Sequence, residues 1–153
     1  MPDITKKWIY VIGIGEDGWD DLSADSRELL YKSEIVIGGE RHLKMIPGDW
    51  EGERIIWASP IREAVTKILD WRPSEPGSGK KVAVMASGDP LCYGIAAKLL
   101  RHLPIEEIWI KPALSTFSLI CSRVGWSLPD IETLTIHGRP LEMLHTFVQP
   151  GAK

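Results

Sequence analysis

The stretch Trp8-Ile9-Tyr10-Val11-Ile12-Gly13-Ile14 is a continuous run of aromatic, β-branched and glycine residues that ends at Gly15. Aromatic and β-branched residues favour strands, and a strand without polar alternation is typical of one buried on both faces. Sheets with both faces covered are mainly parallel, because the connecting helices pack on the two sides. The run therefore predicts the first strand of an α/β fold.

The same alternation of an apolar run and a polar helical segment continues along the chain. Such an alternation implies right-handed crossovers and an open, mainly parallel sheet with flanking helices. The further predicted strands are Glu34–Gly38, Arg54–Trp57, Lys81–Ala86 and Ile105–Ile110. The predicted helices are Ala24–Lys32 with Ser23 as its cap, Arg41–Ile46, a helix from Ser59-Pro60 to Trp71, and Leu91–Leu103.

The character of the chain changes after Lys111-Pro112. A helix is expected over Ser115–Val124 and another strand over Glu132–Ile136. We therefore predict two domains: residues 1–111 form a parallel-sheet domain, and residues 112–153 form the beginning of a second α/β domain.

Composition excludes several classes of function. The chain has 153 residues, 44% of them apolar, and a net charge of −3 without a basic block, so we expect no nucleic-acid partner. The first residues lead into a short apolar stretch soon interrupted by Gly13, Gly15 and Glu16, which predicts neither a signal peptide nor a membrane span. A cytoplasmic location follows as an expectation.

The residues that commonly bind metals lack the spacing of a metal site. Cys92 and Cys121 do not form a CxxC motif, and we expect two reduced thiols. The four histidines show no ligand spacing, and no arrangement of nucleophile and base is evident. We therefore predict no metal and assign no catalytic residue.

Three loops follow predicted strands, where ligands of open parallel sheets bind. The first, Gly13-Ile14-Gly15-Glu16-Asp17-Gly18, has the glycine spacing of a dinucleotide-binding loop. However, Glu16 and Asp17 would repel a pyrophosphate, and the next helix begins several residues too late. A ligand with positive charge is compatible with these carboxylates, and a plain acidic turn is the equal alternative.

The second loop is Ser87-Gly88-Asp89-Pro90, followed by Leu91-Cys92-Tyr93-Gly94. Its small residues would let a ligand approach the backbone, whereas Asp89-Pro90 is equally typical of a helix cap followed by proline in the first turn. In the third loop, Ser115 and Thr116 could bind a ligand or cap the next helix, and capping is the commoner role.

A cationic turn lies near the end of the chain. Within His137-Gly138-Arg139-Pro140, His137 and Arg139 could bind the carboxylates of an acidic substrate. An exposed loop with an incidental arginine is the equal alternative.

Together these loops resemble the tetrapyrrole methylase family, which transfers methyl groups from S-adenosylmethionine (SAM) to precorrins and uroporphyrinogen. The resemblance rests on the first two loops and on two further stretches, Gly38-Gly39-Glu40-Arg41-His42-Leu43 and Gly125-Trp126-Ser127-Leu128 leading to His137. Within the family, they look most like the branch that methylates precorrin at C5 and C15, specifically its C5-methylating part.

The resemblance implies a SAM pocket in a cleft between two α/β domains. It assigns the lining of that pocket to the backbone around Glu16, Gly88, Asp89, Pro90, Cys92, Ser115 and Thr116. Asp17, His137 and Arg139 would lie nearer the tetrapyrrole. The implied reaction adds a methyl group to the C5 position of a late precorrin or its cobalt form, in cobalamin biosynthesis.

The resemblance also bears on assembly and completeness. It implies a homodimer where the second domain is complete, and a fused or separate subunit that methylates C15 and decarboxylates. Family members continue well beyond the region matching Pro140, so we expect this chain to be a truncated piece with doubtful activity on its own. The alternatives are a methylase for uroporphyrinogen or diphthine, and a non-catalytic binding module.

Overall fold

The structure of the protein is a computed structural model that describes residues 4–57, 59–137 and 139–148. The chain forms two compact units, the first ending at Ala113 and the second beginning at Leu114. The predicted domain limits, 1–111 and 112–153, stay a prediction.

The first unit contains a five-stranded sheet in the order β3-β2-β4-β1-β5, with all neighbouring strands parallel. The central strands are wholly buried apart from the last residue of β4, as expected for a sheet covered on both faces. This arrangement confirms the predicted α/β class. The strands are β1 Ile9–Ile14, β2 Ile35–Gly38, β3 Glu53–Ile56, β4 Val82–Ser87 and β5 Ile108–Lys111.

Helices cover the sheet on two sides, because successive side chains of a strand point to opposite faces. Val11 and Val84 pack with α3 and α4, whereas Ile12 and Met85 pack with α1 and α2. The Ser23 hydroxyl accepts a hydrogen bond from the Ser26 amide and begins α1, as predicted. The α-helices in the described part of this unit are α1 Ala24–Tyr31, α2 Glu40–Lys44, α3 Ile61–Leu69 and α4 Ile95–Leu99.

Three sequence expectations for the first unit need correction. The helix predicted over Leu91–Leu103 is only α4, because the chain makes a turn through Gly94 before the helix begins. Ser59 does not cap α3, whose first flanking residue is Pro60. The strand predicted from Ile105 begins at Ile108, since a turn precedes it.

The second unit is helical in its described part. α5, Thr116–Val124, begins at Ser115 and ends at Gly125, which adopts the left-handed conformation (φ 70°) usual after a helix. Two 3₁₀-helices follow, Leu128–Asp130 and Leu141–Thr146. The strand expected over Glu132–Ile136 is absent, because a strand needs a partner to pair with and the described residues after Leu114 contain none.

A partly exposed ion pair at the amino edge of the sheet links the residues before β1 and β5 to the loop after α3. The Glu107 carboxylate accepts hydrogen bonds from Trp8 Nε1 at 2.9 Å and from Arg72 Nε at 2.8 Å. The hydrogen bond from Arg72 holds the pKa of Glu107 below its ordinary value, and the Trp8 bond adds to that effect although burial opposes it.

We expect Glu107→Gln to reduce the amount of unfolding free energy that the protein loses as the pH falls. A carboxyl whose pKa is lower in the folded state stabilises the fold above its unfolded pKa, and this stabilisation is lost as pH falls through the folded pKa. Urea unfolding from about pH 7 to about pH 4 should therefore show a smaller loss of unfolding free energy in Glu107→Gln. Equal slopes in the unaltered protein and in Glu107→Gln would contradict the prediction.

Candidate functional site

The carboxyl ends of β1, β4 and β5 are joined by backbone hydrogen bonds. The amide of Gly88 donates to the carbonyl of Ile14 at 3.0 Å, and the amide of Ala113 donates to the carbonyl of Gly88 at 3.1 Å. Ile14 and Ser87 are paired in the β1–β4 ladder. The loops after these strands therefore start from one rigid edge, which we call the carboxyl edge.

The carboxyl edge leaves no room for a side chain at Gly13. A Cβ atom there would lie 2.1 Å from the Gly88 carbonyl oxygen and 2.6 Å from the Ala113 amide nitrogen. Both neighbours are backbone atoms, so no rotamer change could relieve the contact. Gly13 is therefore required for the close approach of the loops after β1, β4 and β5.

The loop after β4 is a tight turn rather than the start of a helix. The Asp89 carboxylate accepts a hydrogen bond from the Leu91 amide at 2.8 Å, and the Asp89 carbonyl accepts one from the Cys92 amide at 3.0 Å. Gly88 and Tyr93 both adopt positive φ, 54° and 57°. Asp89 thus stabilises its own turn and does not cap α4, which begins at Ile95.

The loop after β1 carries exposed carboxylates. Glu16 and Asp17 are exposed, and the chain then enters a single 3₁₀ turn, Gly18–Asp21. α1 begins only at Ala24, so its amino end does not follow directly on the glycine-rich loop as a pyrophosphate site requires. This geometry agrees with the sequence argument against a dinucleotide.

A buried histidine and a strand-end serine form a contact at the carboxyl edge that sequence reasoning missed. His42, on α2, is 9% exposed, and its Nε2 lies 2.9 Å from the Oγ of Ser87, the last residue of β4. Burial lowers the pKa of His42, and the positive charge of Arg41 lowers it further. The available sequence signal was a histidine just after the Gly38-Gly39 turn that ends β2.

Cys92 is partly buried in the loop after β4. Burial raises the pKa of its thiol, and the charge of Asp89 raises it further, so the thiol is protonated at neutral pH. Both cysteines are free. Within residues 4–57, 59–137 and 139–148, no group of three histidine, cysteine or acidic side chains is close enough to hold a metal.

The predicted site residues divide between the two units. Glu16, Asp17 and the stretch Gly88–Cys92, including Asp89 and Pro90, belong to the loops at the carboxyl edge. Ser115 and Thr116 lie at the start of α5, where the Ser115 hydroxyl accepts from the Ser118 amide at 3.1 Å and so caps the helix. His137 and Arg139 are exposed in the second unit; Gly138, between them, lies outside the described residues.

A separate cavity of about 360 Å³ lies on the side of the first unit where α1 faces β5. Its lining includes Asp25, Lys32 and Trp109. It contains none of the residues predicted to bind SAM or the tetrapyrrole, so the carboxyl edge remains the candidate site.

Residues 8–149 match the family described as Tetrapyrrole (Corrin/Porphyrin) Methylases. The chain belongs to this family. It is 39% identical over 152 residues to a precorrin-6Y C(5,15)-methyltransferase [decarboxylating] of a Sinorhizobium species. It is 32% identical over 131 residues to the cobalt-precorrin-7 C(5)-methyltransferase of Salmonella typhimurium.

These matches cover most of the chain but only part of the relatives. The match includes 99% of the chain and 35% of the Sinorhizobium protein, and 86% of the chain and 62% of the Salmonella protein. The fold is also that of the solved precorrin-6Y methylase of Archaeoglobus fulgidus, with a TM-score of 0.66 at 24% identity over 89% of this chain and 68% of that one. No described helix is both long and apolar enough to cross a membrane.

Proposed function

We propose that this methylase transfers a methyl group from SAM to the C5 position of a late precorrin or cobalt-precorrin in cobalamin biosynthesis. The proposal rests on the acidic loops that meet at the carboxyl edge. The chain that carries them is 39% identical to a precorrin-6Y methyltransferase. The relatives whose names specify C5 chemistry match over most of the chain.

The residues at the carboxyl edge suit SAM better than a phosphate-bearing nucleotide. SAM has no phosphate, and its sulfonium and α-ammonium groups are positive. Glu16, Asp17 and Asp89 bring negative charge to the loops after β1 and β4, which favours a cation and opposes a pyrophosphate. We therefore assign SAM binding to Glu16, Gly88, Asp89, Pro90 and Cys92, with Ser115 and Thr116 as proposed contributors from the second unit.

The chemistry needs little from the protein beyond placement. SAM, when bound, supplies a methyl group on a positively charged sulfur, and the electron-rich ring carbon of the tetrapyrrole is the nucleophile. The loops at the carboxyl edge hold the ligand in a fixed orientation and exclude water, which lowers the entropic part of the barrier. We assign no nucleophile to the protein, because the ring carbon of the tetrapyrrole has that role.

The tetrapyrrole carries carboxylates, which suggests contacts from cationic side chains. We assign this role to His137 and Arg139, both exposed, with Asp17 at the substrate side of the first loop. A homodimer, a cytoplasmic location and cooperation with a C15-methylating, decarboxylating subunit also stay predictions. The relative named for both C5 and C15 chemistry supports the last of them.

Incubation of the full-length protein with SAM and separate tetrapyrroles tests the proposal. We expect mass spectrometry to show one added methyl group on a late precorrin or its cobalt form, and carbon-13 methyl labelling to locate it at C5. Uroporphyrinogen serves as the control and should gain no methyl group. Methylation of uroporphyrinogen, or SAM binding without transfer to any precorrin, would contradict the assignment.

A further inference from the structure

The contact between His42 and Ser87 has no role in the methyl transfer described above. His42 follows β2, Ser87 ends β4, and these two strands are neighbours in the sheet. The histidine is buried, whereas the serine is exposed. The pair thus links a buried imidazole to a hydroxyl group on the surface of the carboxyl edge.

The surroundings of the imidazole determine which nitrogen carries the proton. Nδ1 of His42 is buried and has no hydrogen-bond partner among the described residues. A proton on Nδ1 would bury an N–H group without an acceptor, and unpaired buried N–H groups are rarer in proteins than unpaired acceptors. We therefore assign the proton of the neutral imidazole to Nε2, which donates to the Ser87 oxygen.

The proton on Nε2 determines where the Ser87 hydroxyl can donate its own proton. A serine oxygen has one proton to donate and two lone pairs to accept with. When Nε2–H of His42 occupies a lone pair, the serine proton must point to another acceptor. Ser87 is exposed and lies between the ends of β1 and β2, so that acceptor comes from solvent or a ligand at the carboxyl edge.

The charges around the edge favour one kind of acceptor. The acidic residues Glu16 and Asp17 follow β1, whereas Arg41 is next to His42 on α2 and close enough for its charge to act on the imidazole. Asp89 brings negative charge to the loop after β4, so the β2 side of the edge, next to Arg41, is the side where a negative group is tolerated.

We infer that Ser87, oriented by His42, donates a hydrogen bond to a ligand carboxylate at the carboxyl edge. The inference rests on the proposed function, in which two ligands carry carboxylates: the amino-acid end of SAM and the acidic side chains of the tetrapyrrole. Ser87 is then a ligand-binding residue, and His42 is a positioning residue that acts through it.

Substitutions of Ser87 test the hydrogen bond itself. Hydrogen bonds to charged groups contribute about 1.5–3 kcal/mol, so Ser87→Ala should weaken binding of the ligand concerned roughly tenfold or more. Ser87→Thr keeps a hydroxyl and should regain part of that loss. Ser78 is an exposed serine before β4, and Ser78→Ala is the control, which should change the affinity for neither ligand.

Two measurements distinguish the source of the carboxylate. If the carboxylate belongs to SAM, Ser87→Ala raises the Kd of S-adenosylhomocysteine and leaves the KM of the precorrin as it was. If it belongs to the tetrapyrrole, the KM of the precorrin rises and the Kd of S-adenosylhomocysteine holds. Either result supports the inference.

Substitutions of His42 test the positioning role. A glutamine amide nitrogen can occupy the place of Nε2 and keep a donor for Ser87, whereas an asparagine amide reaches only the place of Nδ1. His42→Asn should therefore weaken binding of the same ligand as Ser87→Ala does. His42→Gln should keep part of that affinity. The double variant His42→Asn with Ser87→Ala should be no weaker than Ser87→Ala alone, because both changes remove one interaction.

Unfolding in urea, measured on every variant, separates binding from folding. A purely structural role for the pair would lower stability without selecting one ligand, and that result would overturn the inference. If the unaltered protein binds S-adenosylhomocysteine and methylates a precorrin while Ser87→Ala changes both constants by less than about twofold, the inference is wrong and the proposed function stands. If the unaltered full-length protein does neither, both are wrong.

Discussion

Replacement of Gly13 by alanine is expected to prevent stable folding of the first unit. The added Cβ would lie 2.1 Å from the Gly88 carbonyl oxygen and 2.6 Å from the Ala113 amide nitrogen, far inside van der Waals contact. Relief requires separation of β1 from the loops after β4 and β5. That movement breaks the hydrogen bond that the Gly88 amide donates to the Ile14 carbonyl.

The expected cost exceeds that of ordinary overpacking, which is about 1–3 kcal/mol, because backbone atoms cannot change rotamer. Small domains are stable by only about 5–15 kcal/mol, so we expect most of the variant molecules to be unfolded or aggregated. Circular dichroism and urea unfolding provide the measurement. Gly48→Ala is the matched control, since a Cβ there meets nothing within 4 Å, and a Gly13→Ala protein as stable as this control would contradict the prediction.

The substitution Asp89→Asn should greatly weaken binding of S-adenosylhomocysteine while it keeps the loop intact. The asparagine side-chain oxygen can still accept the hydrogen bond from the Leu91 amide that Asp89 accepts at 2.8 Å. What is lost is the negative charge. A charged hydrogen bond contributes about 1.5–3 kcal/mol, so the affinity should fall about tenfold to a hundredfold.

Two further variants make the Asp89 test specific. Asp89→Ala also removes the acceptor for Leu91 and should lower thermal stability in addition to affinity. Glu106→Gln removes the same charge at the amino edge of the sheet, before β5, and should leave the affinity as it was. An Asp89→Asn protein that binds as tightly as the unaltered one would show that the charge is not used.

Much of the fold could be predicted because the signals are local. The apolar run of β1 and the capping serines Ser23 and Ser115 are read from adjacent residues, and the structure contains all three. The length of α4 could not be read in this way. At Gly94, a Cβ would lie 2.4 Å from the Pro90 carbonyl oxygen, so the chain folds back on itself before the helix begins.

Local sequence signals could not predict the contacts of the candidate site. The contact between His42 and Ser87 joins residues 45 positions apart and exists only because β4 inserts between β2 and β1. Periodicity predicts strands but not their order in the sheet. In Glu132–Ile136 the residues favour a strand, but no strand forms because the described chain provides no partner strand there.

The central claim is that the carboxyl edge binds SAM and does not bind a phosphate-bearing dinucleotide. Titration calorimetry of the unaltered protein with S-adenosylhomocysteine, and in parallel with NADH, tests it most directly. We expect saturable binding of S-adenosylhomocysteine with one site per chain and no heat of binding with NADH. Binding of NADH, or no binding of S-adenosylhomocysteine to folded protein, would contradict the account.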